Sequence, residues 1–283
     1  MNNVLIKYCN LEFEQKTSSA LCQNLQEFGS GRTKKGGYQL AEINFRSQYG
    51  IIPALDLESV DAIRRVVEET CEVEGVVGYK LGIAGALRLG LANAVQSIRE
   101  ITDLPILYDH QKAGLDIPDM AKKFCAICRE AGVDALVLFP LAGPTAVEEF
   151  VVHTQRQGLC PIVGGDFPMT EYKFSGGGYV TDDGPIRILE HAVKLGANHF
   201  IIPSTNLNGI RRVNEILSAS DRKPALFMTG IGSMGGSITD AFAAAPGCSC
   251  YAITGRAVYA SDNPKEAAKI LGAEALNFAL LKK

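Results

Sequence analysis

The stretch GIIPALDLESVDAIRRVVEETCEVEGVVGYKLG, residues 50–82, contains two short apolar runs separated by a helical segment. The runs, GIIPALD (50–56) and GVVGYKLG (75–82), are apolar without strict alternation, as parallel strands covered on both faces are. Between them, SVDAIRRVVEETCEV (59–73) has apolar residues at helical spacing. The stretch therefore predicts a strand, a helix and a second, parallel strand.

The same pattern recurs along the rest of the chain. Six further apolar runs precede helical segments: PILYD (105–109), DALVLFP (134–140), CPIVGGD (160–166), HFIIPST (199–205), PALFMTG (224–230) and SCYAITG (249–255). Eight β-then-α units in this length predict an α/β protein, a TIM (β/α)8 barrel, over residues 49–283. A doubly wound open sheet is the alternative, but its phosphate loop usually follows the first strand, where this chain has ALDLES.

Residues 1–48 differ from the repeating part. Asn10–Phe28 has helical spacing, Gly29–Gly31 ends it, and Arg32–Gly37 resembles an exposed linker. We predict an N-terminal helical extension over residues 1–48 that packs on the barrel or on a partner subunit.

Composition excludes several classes of function. The chain has 283 residues, 47% of them hydrophobic, and a net charge of −3, which gives no general attraction to nucleic acid or anionic lipid. It contains neither an apolar run long enough for a membrane span nor the apolar core of a signal peptide, so we expect a cytoplasmic protein. The eight cysteines are expected to be reduced, and the four histidines show no ligand spacing, so no metal site is predicted.

Charged residues follow the third predicted strand. ILYDHQKAGLDIP (106–118) places Asp109, Lys112 and Asp116 within eight positions. A buried strand that ends in charged groups is costly unless they face a cavity and pair. Two acids beside a lysine keep it protonated and suit proton delivery next to a departing anion. A solvated loop with an incidental ion pair is the simpler interpretation.

Other polar residues stand at the ends of predicted strands. In a barrel these ends converge on one rim, so Asp56, Lys80, Thr170 and Ser204 are candidates for the same site. Helix capping by Asp56 or Ser204, and a solvent-reaching side chain for Lys80, are the simpler alternatives.

The last two strands are followed by glycine and arginine. GIGSMGGS (230–237) offers backbone N–H groups to an anion, and TGRAVY (254–259) adds a guanidinium at the start of a helix. This is the common phosphate position of TIM barrels. The candidate residues for a phosphate-bearing ligand are Gly230, Gly235, Gly255 and Arg256.

These residues together resemble the orotidine 5′-monophosphate decarboxylase family over about Gly50–Ala268. The matching motifs are ALD (54–56), YKLG (79–82), the Asp109, Lys112 and Asp116 cluster with its DIP ending, IPST (202–205), GIGSMGG (230–236) and TGRAVYASDNPKEAA (254–268). The resemblance implies decarboxylation of the nucleotide to UMP in pyrimidine biosynthesis, without metal or organic cofactor. It also implies a homodimer with active sites shared across the interface.

The resemblance assigns roles residue by residue. Lys112 is similar to the acid that protonates carbon 6 of the pyrimidine, and Asp109 to the group beside the substrate carboxylate. Lys80 is implied to join the same hydrogen-bonded array, Asp116 to enter the partner's site, and Asp56 to hold ribose hydroxyls. Arg256 and the N–H groups near Gly235 and Gly255 are implied to bind the phosphate. Thr170 is implied to contact the pyrimidine amide.

Four departures from the family pattern mark a divergent member. The charged cluster, Asp109–Asp116, is two residues longer than usual. Met120 replaces a threonine, and Met234 replaces a glutamine that bridges the phosphate and the base. The loop after the fifth strand is longer, with SGGG at 175–178.

Two alternatives remain open. Metal-dependent sugar-phosphate aldolases or decarboxylases of the same superfamily, such as hexulose-phosphate synthases, resemble this chain at the cluster. They carry glutamate at the position of Lys80 and commonly alanine at that of Ile117. A non-catalytic phosphate-binding barrel is the second alternative, and the longer spacing between Asp109 and Lys112 favours it.

Overall fold

Parallel strands close into a barrel in the order β1 to β8. The computed structural model describes residues 41–110, 113–218, 223–232 and 235–280. Lys112, Met234 and the predicted helix Asn10–Phe28 lie outside the described residues. The strands are β1 Tyr49–Leu55, β2 Tyr79–Gly82, β3 Ile106–Asp109, β4 Ala135–Leu138, β5 Cys160–Val163, β6 His199–Pro203, β7 Ala225–Thr229 and β8 Ser249–Thr254.

A helix follows each strand within the described residues, and some connections carry two. The helices are α1 Val60–Thr70, α2 Ile83–Leu89, α3 Leu91–Arg99, α4 Met120–Glu130, α5 Pro144–Arg156, α6 Gly184–Lys194, α7 Leu207–Leu217, α8 Ile238–Ala243, α9 Arg256–Tyr259 and α10 Pro264–Leu280. Two 3-10 turns, Thr170–Tyr172 and Phe174–Gly176, lie in the connection between β5 and α6.

Pairing of the first and last strands closes the sheet. β8 runs parallel to β1 from the Tyr49–Cys250 pair to the Pro53–Thr254 pair. A doubly wound sheet has open edges, so this closure rules it out and confirms the predicted TIM barrel. Closure also brings the segment after β8 next to the segment after β1.

Alternate strand residues belong to two separate apolar cores. Ile52, Leu107 and Phe227 are among those that fill the barrel interior. Their neighbours, such as Tyr79 and Tyr108, pack between the sheet and the surrounding helices. Because successive side chains of a strand point to opposite faces, this division fixes which polar residues at the strand ends face the interior.

The segment 41–48 contributes to the barrel core. The Phe45 ring lies 4.3 Å from that of Tyr251 and 5.9 Å from that of Phe227, measured between centroids. Arg46 donates to the carbonyl of Cys71 at 2.8 Å, and the carbonyl of Gln48 accepts from Cys250 N–H. The domain boundary at residue 48 stays a prediction, but the last described residues before it pack against the strands.

Three expectations from composition concern parts of the chain that the structure describes. None of the described helices combines the length and the apolar character needed to cross a membrane. The six described cysteines are buried and form no disulfide with one another. Among the described residues, no group of three His, Cys, Asp or Glu side chains is arranged to hold a metal ion.

Phe45→Ala is expected to lower the free energy of unfolding by about 2 kcal/mol, because it removes a half-buried ring from the barrel core. Urea denaturation followed by circular dichroism measures the change. Phe45→Leu, which keeps most of the apolar volume, is the control and should lose less than half as much. Equal stability of wild type and Phe45→Ala would show that residues 41–48 are not part of the core.

Candidate active site

The side chain of Lys80 joins the first three strands. Its Nζ lies 3.2 Å from Oδ1 of Asp56, directly after β1, and 3.2 Å from Oδ2 of Asp109, the last residue of β3. The strand register positions these groups, since Ala54 pairs with Lys80 and Gly82 pairs with Asp109. Three residues predicted from separate motifs therefore form one ion-pair cluster.

Burial makes this cluster electrostatically strong. The side chains of Lys80 and Asp109 are 6% and 11% exposed, whereas that of Asp56 is 36% exposed. Burial lowers the pKa of Lys80, but the Asp109 and Asp56 carboxylates outweigh it and raise the pKa above the usual 10.5. Opposite unit charges 3.2 Å apart attract by roughly 5 kcal/mol at an effective dielectric near 20, and burying an ion costs several kcal/mol. Lys80 is therefore a permanently protonated lysine at neutral pH.

Gly82 makes room for this cluster. A Cβ atom at this position would lie 2.0 Å from Oδ1 of Asp56 and 3.8 Å from Nζ of Lys80. Any larger residue would displace the Asp56 carboxylate. YKLG (79–82) is recognisable as a motif in the sequence, but no role follows for Gly82 from the sequence alone. The position of this glycine two residues after Lys80 is the feature that could have indicated its role.

The loop after β3 carries the other charged candidates. Lys112 lies outside the described residues. Asp116 is exposed, and its Oδ1 accepts a hydrogen bond from the N–H of Ile117 at 2.7 Å. Among the described side chains Asp116 has no ion-pair partner, so the structure does not bring it into the Lys80 cluster of the same chain.

Thr170 lies in the connection after β5, exposed on the first 3-10 turn. Gly176 and Gly178 pack against this turn so closely that Cβ atoms there would lie 1.8 Å from the carbonyl oxygen of Thr170 and 2.1 Å from that of Glu171. The longer fifth loop noted from the sequence is thus folded against the threonine it carries.

A partly buried ion pair and a hydrogen bond to the next connection fix this segment. Lys173 Nζ lies 2.9 Å from Oδ1 of Asp166, and the amide nitrogen of Asn206 donates to Oδ2 of Asp166 at 2.8 Å. Sequence reasoning did not identify this network, because its members come from two different connections.

The glycine segment after β7 packs over Ser204. A Cβ atom on Gly236 would lie 1.9 Å from Ser204 Oγ, which is buried and has no hydrogen-bond partner among the described residues. Gly230 and Gly235 have φ values of +82° and +87°, which favour glycine. Glycine at position 236 therefore leaves room for the buried Ser204 hydroxyl.

Gly255 and Arg256 lie at the start of α9, directly after β8. Arg256 is exposed. Because β8 pairs with β1, this helix start is on the same rim as Asp56. The structure thus puts the candidate phosphate-binding segments and the ion-pair cluster at the carboxyl ends of neighbouring strands, where TIM-barrel enzymes have their active sites.

The sequence model of the Orotidine 5′-phosphate decarboxylase / HUMPS family matches residues 50–271. The chain belongs to this family. The match covers all eight strands except the first residue of β1. The family resemblance predicted from the motifs is confirmed.

Orotidine 5′-phosphate decarboxylases of archaea are similar over most of the family region. The enzyme of Methanosarcina barkeri is 27% identical over 227 residues, which cover 79% of this chain and 93% of the relative. That of Thermococcus kodakarensis is also 27% identical, over 80% of this chain and 96% of the relative. This chain is therefore a divergent family member.

Solved structures share the fold. A Methanocaldococcus jannaschii orotidine 5′-monophosphate decarboxylase in complex with the inhibitor BMP has a TM-score of 0.68 at 23% identity, and covers 80% of this chain and 98% of its own. The Leishmania donovani enzyme has a TM-score of 0.63 at 17% identity, with 81% and 94% covered. Both likenesses concern the barrel.

Lys80→Met is expected to lower the free energy of unfolding at pH 7 by about 3 kcal/mol, because it leaves the buried Asp109 carboxylate without its ammonium partner. Since the pKa of Lys80 is raised in the folded state, its contribution is present at pH 7 and is lost only as pH rises above about 10.5. Urea denaturation at pH 7 measures the free energy of unfolding of wild type and variant. The double variant Lys80→Met with Asp109→Asn should recover part of the loss, and no recovery would contradict the ion-pair explanation.

Proposed function

We propose that this protein is a cytoplasmic orotidine 5′-monophosphate decarboxylase that converts its substrate to UMP in pyrimidine biosynthesis without a cofactor. The observation that carries the proposal is the buried ammonium of Lys80 between the carboxylates of Asp56 and Asp109 at the rim of the barrel. Family membership and the motifs that follow β3, β7 and β8 support it.

The cluster supplies electrostatic preorganisation. Lys80 fixes Asp109, and in the proposal Asp109 lies beside the substrate carboxylate, so its negative charge raises the free energy of the bound substrate. Loss of carbon dioxide removes that repulsion, so the interaction favours the transition state over the bound substrate. Lys80 holds Asp109 and Asp56 in place before substrate binds, so little reorganisation is required.

The reaction needs one proton. The bond between carbon 6 and the carboxylate breaks, its electron pair stays on carbon 6, and carbon dioxide leaves. In the proposal the ammonium of Lys112 gives a proton to carbon 6 and is then reprotonated from solvent. No oxidant, reductant or metal enters this balance.

We assign the contacts with the phosphate, the ribose and the pyrimidine amide to residues at the ends of other strands. Arg256 and the N–H groups near Gly235 and Gly255 are proposed to hold the phosphate, because a guanidinium and backbone amides suit phosphate oxygens. Asp56 is proposed to accept from ribose hydroxyls and Thr170 to contact the pyrimidine amide. Interactions remote from the reacting carbon then offset the repulsion at Asp109.

The metal-dependent sugar-phosphate reaction is a second candidate because the family includes that branch. Lys80 argues against it. Its raised pKa keeps the side chain an ammonium, which has no lone pair for a cation, and both nearby carboxylates are already paired with it. The non-catalytic alternative rests on the longer spacing between Asp109 and Lys112.

Wild type is expected to decarboxylate orotidine monophosphate in the presence of EDTA, and Lys112→Ala is expected to reduce kcat at least about 1,000-fold, because the proton donor is removed. Loss of absorbance of the substrate carboxypyrimidine measures the rate. Activity abolished by EDTA would favour the metal-dependent candidate. Nucleotide binding without turnover by wild type would favour the non-catalytic one.

We also propose a homodimer in which Asp116 enters the partner's site. Exposed apolar side chains surround this exposed acid: Leu115 is 40%, Ile117 63% and Met120 36% accessible. A loop with three such residues beside a carboxylate that has no ion-pair partner among the described side chains is typical of a surface that another subunit covers.

Mixing Lys112→Ala and Asp116→Asn subunits is expected to restore activity that neither variant has alone. Each mixed dimer would contain one site with both native residues, so a statistical mixture should reach roughly a quarter of wild-type activity. The measurement is kcat after denaturation and refolding together, with each variant refolded alone as control. Absence of recovery in a mixed dimer would contradict shared sites.

A further inference from the structure

Tyr108 and His110, on either side of Asp109, form an aromatic cluster outside the barrel interior. The Tyr108 hydroxyl is 2.5 Å from Nδ1 of His110. The ring of Phe124, on α4, lies 5.5 Å from that of His110 and 6.4 Å from that of Tyr108. Tyr108 belongs to the core between sheet and helices, so His110 is held on the opposite side of the strand from Asp109.

The protonation states of Tyr108 and His110 are consistent with a fixed hydrogen bond between them. Burial raises the pKa of Tyr108, so its hydroxyl is protonated and donates. Burial also lowers the pKa of His110, although the Asp109 charge opposes this, so Nδ1 of a neutral imidazole accepts. The pair therefore has one arrangement at neutral pH.

The chain is anchored again three residues later. The carbonyl of Ala113, itself buried, accepts from the N–H of Phe139 at 2.8 Å. Gly114 has φ +93°, and a Cβ atom there would lie 2.7 Å from Cα of Pro140. Only two residues, one of them Lys112, separate His110 from this second anchor.

We propose that Tyr108 and His110 are positioning residues that set the direction in which the chain leaves β3, towards the segment that carries the proposed proton donor. The inference rests on the proposed decarboxylase function. It accounts for the longer spacing of the charged cluster, because a longer connection loses more conformational entropy on ordering, and the contacts of His110 and Ala113 restrict it on both sides of the additional length. Neither side chain contacts substrate in this scheme.

Four variants test the proposal with orotidine monophosphate: Tyr108→Phe, His110→Ala, their double variant and His110→Asn. We expect His110→Ala to lower kcat by about 10- to 100-fold, because misplacing a reacting group by about 1 Å has effects of this size. KM and the dissociation constant for UMP should stay within about threefold of wild type, since binding groups are untouched. His110→Asn keeps an acceptor near Nδ1 and should recover most of kcat.

Non-additivity is the second expected result. Tyr108→Phe removes one partner of the same hydrogen bond, so the double variant should be no slower than His110→Ala. Tyr79→Phe is the matched control, because Tyr79 is also buried, directly precedes a residue of the ion-pair cluster, and bonds to Thr70 Oγ1 at 2.7 Å. It should lose stability but keep kcat.

The outcomes separate the two proposals. If wild type does not decarboxylate the nucleotide, the proposed function fails and the positioning role fails with it. If wild type is active and His110→Ala has the same kcat per UMP-binding site, only the positioning role is overturned. A fall in kcat for Tyr79→Phe equal to that for Tyr108→Phe would also overturn it, since general loss of packing would then explain both.

Discussion

The ion pairs of Lys80 with Asp56 and Asp109 are the interaction on which the rest of the site depends. Each carboxylate comes from a different strand, and the lysine is almost fully buried. An isolated charge at this depth would cost more than any single contact returns, so the three groups are stable only together. Their mutual pairing keeps two negative charges and one positive charge in fixed positions before any ligand binds.

Barrel closure gives this cluster its neighbours. Because β8 pairs with β1, the arginine segment that begins α9 lies beside the end of β1, which Asp56 directly follows, although Asp56 and Arg256 are 200 positions apart in the chain. Two glycines make space for polar groups near these strand ends. Gly82 leaves space for the Asp56 carboxylate, and Gly236 leaves space for the Ser204 hydroxyl. A residue with a Cβ atom at either position would displace these polar groups.

The connections after β3 and β5 both depart from the family pattern in length, and contacts among the described residues hold both of them. The hydrogen bond of Tyr108 with His110 holds the chain directly after Asp109, and the carbonyl of Ala113 holds it again before Asp116. The additional residues after β5 fold back on the turn that carries Thr170.

The sequence by itself determined the eight strand and helix units, the residues at the strand ends and the family, because apolar periodicity, strand length and motif spacing are local properties. It could not assign a role to Gly82, Gly236 or the contact of Asp166 with Asn206, since these depend on distances between separate segments of the chain. It also left open whether Lys80 faced solvent. Only the tertiary structure decided that, because the strand register and the closed sheet put two carboxylates within 3.2 Å of its ammonium.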